Sequence, residues 1–298
     1  MSNNDHQSPS QMFNTANQNF KRVFYAGKNR ERHHLPNKYK WLPEWTLSKS
    51  KYLLNDHNRV NRKVYSRGAI VNVNFGVNIG QELSGNHFAI VLNNTDNRKN
   101  DKLTVIPLTS HEHTHTVKLD KTILNLSTQK FFNEIINQFV FHYCLYYIQY
   151  NAYKDILSDL LPPEDFYAHS YKAPNELAQQ IIDLLMERLF STIPDYSAAA
   201  SYLQTRPELK LHESNLAEYT IKKEFKEAQN IAVNDLVEAF TKYQKYDKET
   251  WAKIGDIQTI SKSRLMKINP MDPIGDIKVS PHVLDVIDKE LIHQFTHQ

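Results

Sequence analysis

Residues Arg67 to Leu119 read RGAIVNVNFG VNIGQELSGN HFAIVLNNTD NRKNDKLTVI PLTSHEHTHT VKL and hold four of the seven glycines in the chain. From Ala69 to Phe75, Val71, Val73 and Phe75 alternate with Asn72 and Asn74, the period-2 pattern of a strand with one buried and one wet face. Phe88 to Leu92 and Leu103 to Leu108 are near-continuous apolar runs that suit buried strands, and His115 to Leu119 alternates again. Four strands in about 50 residues predict a small barrel. Between the first two strands runs Gly76 to His87, too long for a tight hairpin and supplied with Gly76, Gly80 and Gly85 for unusual backbone angles. Connections of this kind usually carry function.

The rest of the chain is unlike this stretch. Lys121 to Lys248 contains no glycine, and five prolines divide it into pieces of helical length. The predicted helices are Thr128 to Ile156, Pro163 to Ala168, Glu176 to Phe190, Tyr196 to Leu203 and Leu216 to Tyr243. Leu177, Ile181, Leu184, Leu185 and Leu189 recur at helical spacing and read as a core face. Near the end, Ser280 is positioned to cap and Pro281 to start a last helix. At the front, Met1 to about Asn19 is rich in Asn, Gln and Ser and predicts a disordered tail. Phe20 to Lys40 then interleaves basic residues with aromatics, a mixture that suits single-stranded RNA because cations neutralise phosphates while rings stack on unpaired bases. A short helix is expected over Thr46 to Asn58.

Composition bounds the function without choosing it. The chain has 298 residues, 40% hydrophobic and 23% charged, ordinary for a globular protein with real cores. A net charge of +3 permits an anionic partner but does not demand one. The single Cys144 excludes an internal disulfide. The opening MSNNDHQSPSQMF lacks the apolar centre of a signal peptide, and Phe131 to Tyr150 is interrupted by Asn133, Asn137, Gln138, His142 and Gln149. The expectation is therefore a cytoplasmic protein that does not insert in a membrane.

The order and spacing of RGAIVNVNFG, IGQELSGNHFAIVLNN and LTVIPLTS resemble the MazF/PemK toxins of bacterial toxin–antitoxin pairs, whose pattern runs RGDIVxVDFG, GSEQxGxRPxxVxxND and IVxPxTS. Gly255 to Leu265, GDIQTISKSRL, is similar to that family's late EQIRTIDKxRL. The resemblance implies an α+β protein: an SH3-like small β-barrel built from residues 61–120 and 250–298, with a C-terminal helix. Residues 121–249 would be a large all-helical insertion and 1–60 a polar and basic arm. It also implies a homodimer, neutralisation by a cognate antitoxin protein, and endoribonuclease action on single-stranded RNA that needs no metal and no cofactor.

The family's catalytic pair is the arginine of GxRP and the threonine of PxTS. Thr109 matches the threonine, His87 stands at the arginine's place and Phe88 follows where the proline would be. An imidazole changes protonation near neutral pH, which a guanidinium does not, so the exchange alters the chemical role instead of merely deleting it. His87 and Thr109 are thus the catalytic candidates. Arg67, Gln81, Ser84, Asn86, Arg98, Lys99, Ser110 and His111 are the candidates for RNA contact, and Arg264 is a further cation within the family-like sequence. His111, His113 and His115 would share one face if their segment were extended, but a zinc site generally needs a fourth ligand, so no metal site is assigned. The alternative is a non-catalytic RNA- or protein-binding module on the same barrel.

Overall fold

In a computed structural model, the described residues are 8–28, 37–56, 63–156, 161–162, 176, 179–180, 183, 187, 191, 195–205 and 234–296. They fall into two compact units: Met1–Lys121 with Glu249–Met266 and Ile274–Gln298, and Thr122–Lys248 with Lys267–Pro273.

The first unit begins with helix α1, Pro9–Lys28, where a disordered tail was expected. Two features overcome the polar composition. Ser8 and Gln11 form a reciprocal capping box, Gln11 N–H donating to Ser8 Oγ (3.3 Å) and Ser8 N–H to Gln11 Oε1 (2.7 Å). Met12, Ala16, Phe20 and Val23 then recur at three- and four-residue spacing along one helical stripe. A 3₁₀ turn over Asn37–Trp41 leads into helix α2, Leu42–Leu54, which starts four residues before the predicted position because Pro43 is pre-set for a first turn. Helix α1 packs on this turn and on α2.

Strands β1 (Ile70–Asn74), β2 (Asn86–Val91), β3 (Lys102–Thr109) and β4 (Thr116–Lys118) follow; β1 and β4 lie within the stretches read from their periodicity, β3 runs one residue beyond at each end, and β2 starts two residues earlier, taking in Asn86 and His87. Later come β5 (Trp251–Lys253), β6 (Gln258–Ser261) and β7 (Leu265–Met266). They make one antiparallel sheet of order β4-β5-β3-β2-β1-β7, with β6 on β3. The segment from β6 to β7 therefore reaches both outer edges of the β1–β2–β3 meander. Tyr65, Val71, Val73, Phe75, Ala89, Val91, Leu103, Val105 and Ile260 form its core, all at most 5% exposed. Each large apolar side chain so buried contributes roughly 1.5–3 kcal/mol.

Helix α5, Pro281–Phe295, packs on β4 and is capped by Ser280, whose Oγ accepts from Val283 N–H as its sequence predicts. The extended reading of the His111 to His115 segment does not hold. Residues 114–115 turn, and His115 adopts φ 57°, so the three histidines do not alternate along one strand. Among the described residues, no group of three or more His, Cys, Asp or Glu is placed to hold a metal ion.

In the second unit, helix α3 spans Ile123–Tyr153 and is capped by Thr122, whose Oγ1 accepts from Asn125 N–H. Helix α4, Tyr196–Gln204, falls where the sequence predicted it. Residues 234–243 are helical, as are the described positions Glu176, Gln179, Gln180, Asp183 and Glu187. Pro163 to Ala168 and Leu216 to Val233 lie outside the described residues. Phe131 meets Tyr243 edge-on at 5.1 Å, and the Tyr243 hydroxyl donates to Asp272 Oδ1 at 2.6 Å. Burial pushes the Cys144 thiol up to about 12, which makes it an inert core residue. No helix among the described residues is long and apolar enough to cross a membrane.

Candidate functional site

The loop between β1 and β2 is a built object. Gly76 opens it at φ +79° and Gly85 closes it at φ +94°. Gly85 N–H donates to Gly76 O at 2.7 Å, and Phe75 N–H to Gly85 O at 2.8 Å, which pins the loop's mouth shut. Asn78 holds the interior: its amide donates to Phe75 O (3.1 Å) and Leu83 O (2.7 Å), while its N–H donates to Ser84 Oγ (3.0 Å).

His87 lies on β2 opposite Val73, half-buried, with Phe75 6.2 Å away between ring centroids. Its Nε2 is 3.1 Å from Ser84 O. A carbonyl only accepts, so the hydrogen sits on Nε2, and the lone pair of a neutral ring is on Nδ1. The β2–β3 ladder ends at Ala89↔Pro107. His87 on β2 and Thr109 on β3 each lie two residues beyond that last pair. Thr109 is the last residue of β3, paired with Trp251, and its Oγ1 accepts from His111 N–H at 3.2 Å. That bond leaves the hydroxyl hydrogen available to donate. Ser110 and His111 follow, both exposed, and Gln81 and Asn86 are exposed on the loop and at the start of β2.

The remaining cations are divided by the meander. Arg67 precedes β1 and Arg98 and Lys99 lie between β2 and β3, at the end of the meander away from His87. Arg67 is paired there with Asp288 and with Leu92 O. Arg264, by contrast, reaches the His87 end: its Nε donates to Asn74 O at 2.8 Å and its guanidinium lies 5.3 Å from the Trp45 ring. Burial draws the Arg264 guanidinium below its usual range, with Tyr52 acting the other way, yet an arginine keeps its charge at any accessible pH.

Two contacts come from outside the β stretch. The Trp45 ring lies over Gly76, so close that a Cβ there would meet ring carbons at 2.4 Å. Lys38 Nζ donates to Gly80 O at 2.7 Å. Asn78 escaped the sequence reading, and the contacts of Lys38 and Trp45 with the loop were not part of it. The available signal was the aromatic and basic run around Trp41.

Residues 66–134 match the family model described as PemK-like, MazF-like toxin of type II toxin-antitoxin system. The matched segment contains the whole β1–β2 loop together with His87 and Thr109. No curated protein matches the chain.

Proposed function

We propose that the chain is the toxin of a toxin–antitoxin pair and an endoribonuclease that cuts single-stranded RNA without a metal, in the cytoplasm. The sheet is then the family's SH3-like barrel, working as a homodimer restrained by a cognate antitoxin. The observation that carries this reading is the family match over residues 66–134, which takes in His87 on β2 and Thr109 on the neighbouring β3.

The chemistry follows from the atoms available. His87 Nδ1 takes the proton of a ribose 2′-hydroxyl, whose oxygen attacks the adjacent phosphorus. The phosphorus–5′-oxygen bond breaks, leaving a 2′,3′-cyclic phosphate and a 5′-hydroxyl that receives a proton from the site or from water. The Thr109 hydroxyl donates to a non-bridging phosphate oxygen, and the Arg264 charge, uncompensated by any carboxylate among the described residues, favours the dianionic transition state.

The test is incubation of the purified full chain with a long unstructured RNA in EDTA. Cleavage is expected, lowered about 10²–10⁴-fold by His87→Ala or Thr109→Ala. His87→Arg is expected to keep cutting with a changed pH profile, because a guanidinium stays protonated at any accessible pH. The other reading, a non-catalytic binding module, draws on the His87 to Ser84 bond, which gives the ring a structural task. RNA bound and left intact by the wild type would establish that reading in place of ours. Light scattering showing only monomer at tens of micromolar, where a micromolar contact is filled, would remove the dimer.

A further inference from the structure

The stretch from Asn37 to Leu54 carries four lysines, Lys38, Lys40, Lys49 and Lys51, against the one carboxylate of Glu44. Its surplus equals the net charge of the whole chain, +3. It is also fastened to the candidate site at separate points. Lys38 Nζ donates to Gly80 O in the middle of the β1–β2 loop, and Trp45 covers Gly76 at its mouth while stacking on Arg264. The 3₁₀ turn between these fastenings presents Trp41, 53% exposed, and Lys40, whose Nζ stands 5.2 Å from the Trp41 ring centroid. An exposed indole beside an exposed ammonium offers a stacking face and a phosphate contact side by side.

We infer that Asn37 to Leu54 is a fixed extension of the RNA-binding surface, with Trp41 stacking an unpaired base and Lys40 holding the neighbouring phosphate. The inference rests on the RNA-cleaving reading for the identity of the ligand but not for the cleavage step. Stacking on an indole tolerates any base, so the strip adds affinity and length of footprint without sequence preference. Because Lys38 and Trp45 fasten the segment to the loop, the strip and the loop hold a fixed distance. A strand seated on one is thereby aligned with the other, and less ordering remains to be done on binding. The surplus of four lysines over the single Glu44 favours a polyanion over a protein helix. A protein partner would instead find the exposed Leu47, Leu53 and Leu54 on α2.

The experiment measures anisotropy of a fluorescently labelled, unstructured RNA oligonucleotide in EDTA, using the full chain with Thr109→Ala so that the probe stays intact. Trp41→Ala is expected to weaken binding by about fivefold or more, Trp41→Phe to keep most of the affinity, and Lys40→Ala to reduce the slope of log affinity against log salt by about 0.7. Circular dichroism should be unchanged in all three, since both side chains are exposed. Equal affinity and salt slope in Trp41→Ala and Lys40→Ala would overturn the inference. So would tighter binding, which would make the segment a cover over the site. Loss of a protein complex in Leu53→Ser with RNA binding untouched by Trp41→Ala would assign the surface to a protein instead. The two readings fail separately. RNA bound and never cut sinks the cleavage reading alone, whereas RNA cut by the wild type and bound equally by the Trp41 and Lys40 variants sinks this one alone.

Discussion

Lys262 and Arg264 stand two residues apart in the turn between β6 and β7, yet they serve opposite ends of the meander. Lys262 is 2% exposed and goes to the β2–β3 end. Its Nζ is 2.8 Å from Asp96 Oδ2 and also donates to Lys63 O at 3.0 Å and Asn97 O at 3.3 Å. Arg264 goes to the β1–β2 end, where its partners are a carbonyl oxygen and an indole face. Arg67, also away from His87, is likewise paired with a carboxylate, while Lys38 at the loop is held by carbonyls. At one end Lys262 and Arg67 are neutralised by carboxylates within the fold. At the other, Arg264 and Lys38 are fixed in place by groups that carry no net charge, so their positive field remains for a ligand. The difference separates cations that stabilise from cations that recruit, and net charge alone does not reveal it.

The largest expected effect tests the neutralised end. Lys262 and Asp96 are both almost fully buried, so removing one partner leaves an uncompensated charge. Asp96→Asn or Lys262→Met should cost roughly 3–5 kcal/mol in urea unfolding, whereas Asp96→Leu with Lys262→Met should cost far less than the sum. Burial by itself would raise the Asp96 carboxyl. Hydrogen bonds from Lys262, Tyr65 N–H and Asn100 outweigh it and hold the group below its usual range. A depressed carboxylate contributes stability that is complete above its unfolded value, about 3.9, and is lost as pH falls through the lower folded value. Asp96→Asn should therefore flatten the loss of stability at acid pH. RNA affinity should be unchanged, and a parallel loss of both would break the distinction between the ends.

The contrast also explains what the sequence made legible. Strand alternation in Val71, Val73 and Phe75 is a local consequence of one buried face, so β1 to β4 and the Ser280 cap were readable from residue order. The Ser8 to Gln11 capping box was equally local and was masked by polar composition. Which cation meets which carboxylate was not readable, because Lys262 and Asp96 are brought together only by β3–β6 pairing, and Arg264 and Trp45 only by the docking of α2. Of the candidate site, His87, Thr109 and the loop glycines were evident from motif spacing. The cations were not: Arg67, Arg98 and Lys99 lie away from His87, and Arg264 and Lys38 lie beside its loop.

An intermediate effect tests the loop end. Gly76 has φ +79°, which costs an ordinary residue about 1–2 kcal/mol, and an added Cβ would collide with the Trp45 ring. Gly76→Ala should lower stability by about 2 kcal/mol and shift tryptophan emission as the indole is displaced. Trp45→Ala in the same chain should recover the part due to collision and none of the part due to φ. If Gly76→Ala left emission unchanged, the fastening of α2 to the loop would be refuted.

The smallest effect separates the two kinds of cation most directly. Arg67 is a quarter exposed and its partner Asp288 nearly half, so solvent screens the pair and Arg67→Met should cost no more than about 1 kcal/mol. Since its charge is already matched by a carboxylate and lies away from His87, the salt dependence of RNA binding should not change. Lys38→Met removes a charge that, among the described residues, carbonyls and the Tyr39 ring accompany. It should lower the slope of log affinity against log salt by about 0.7, the release of one counterion's share from a single strand. The stability change should be as small as that of Arg67→Met, because neither side chain is fully buried. Equal slopes for the two variants would mean that charge at the loop does no more for an anionic ligand than charge at the opposite end, and the division between the ends would then be one of packing alone.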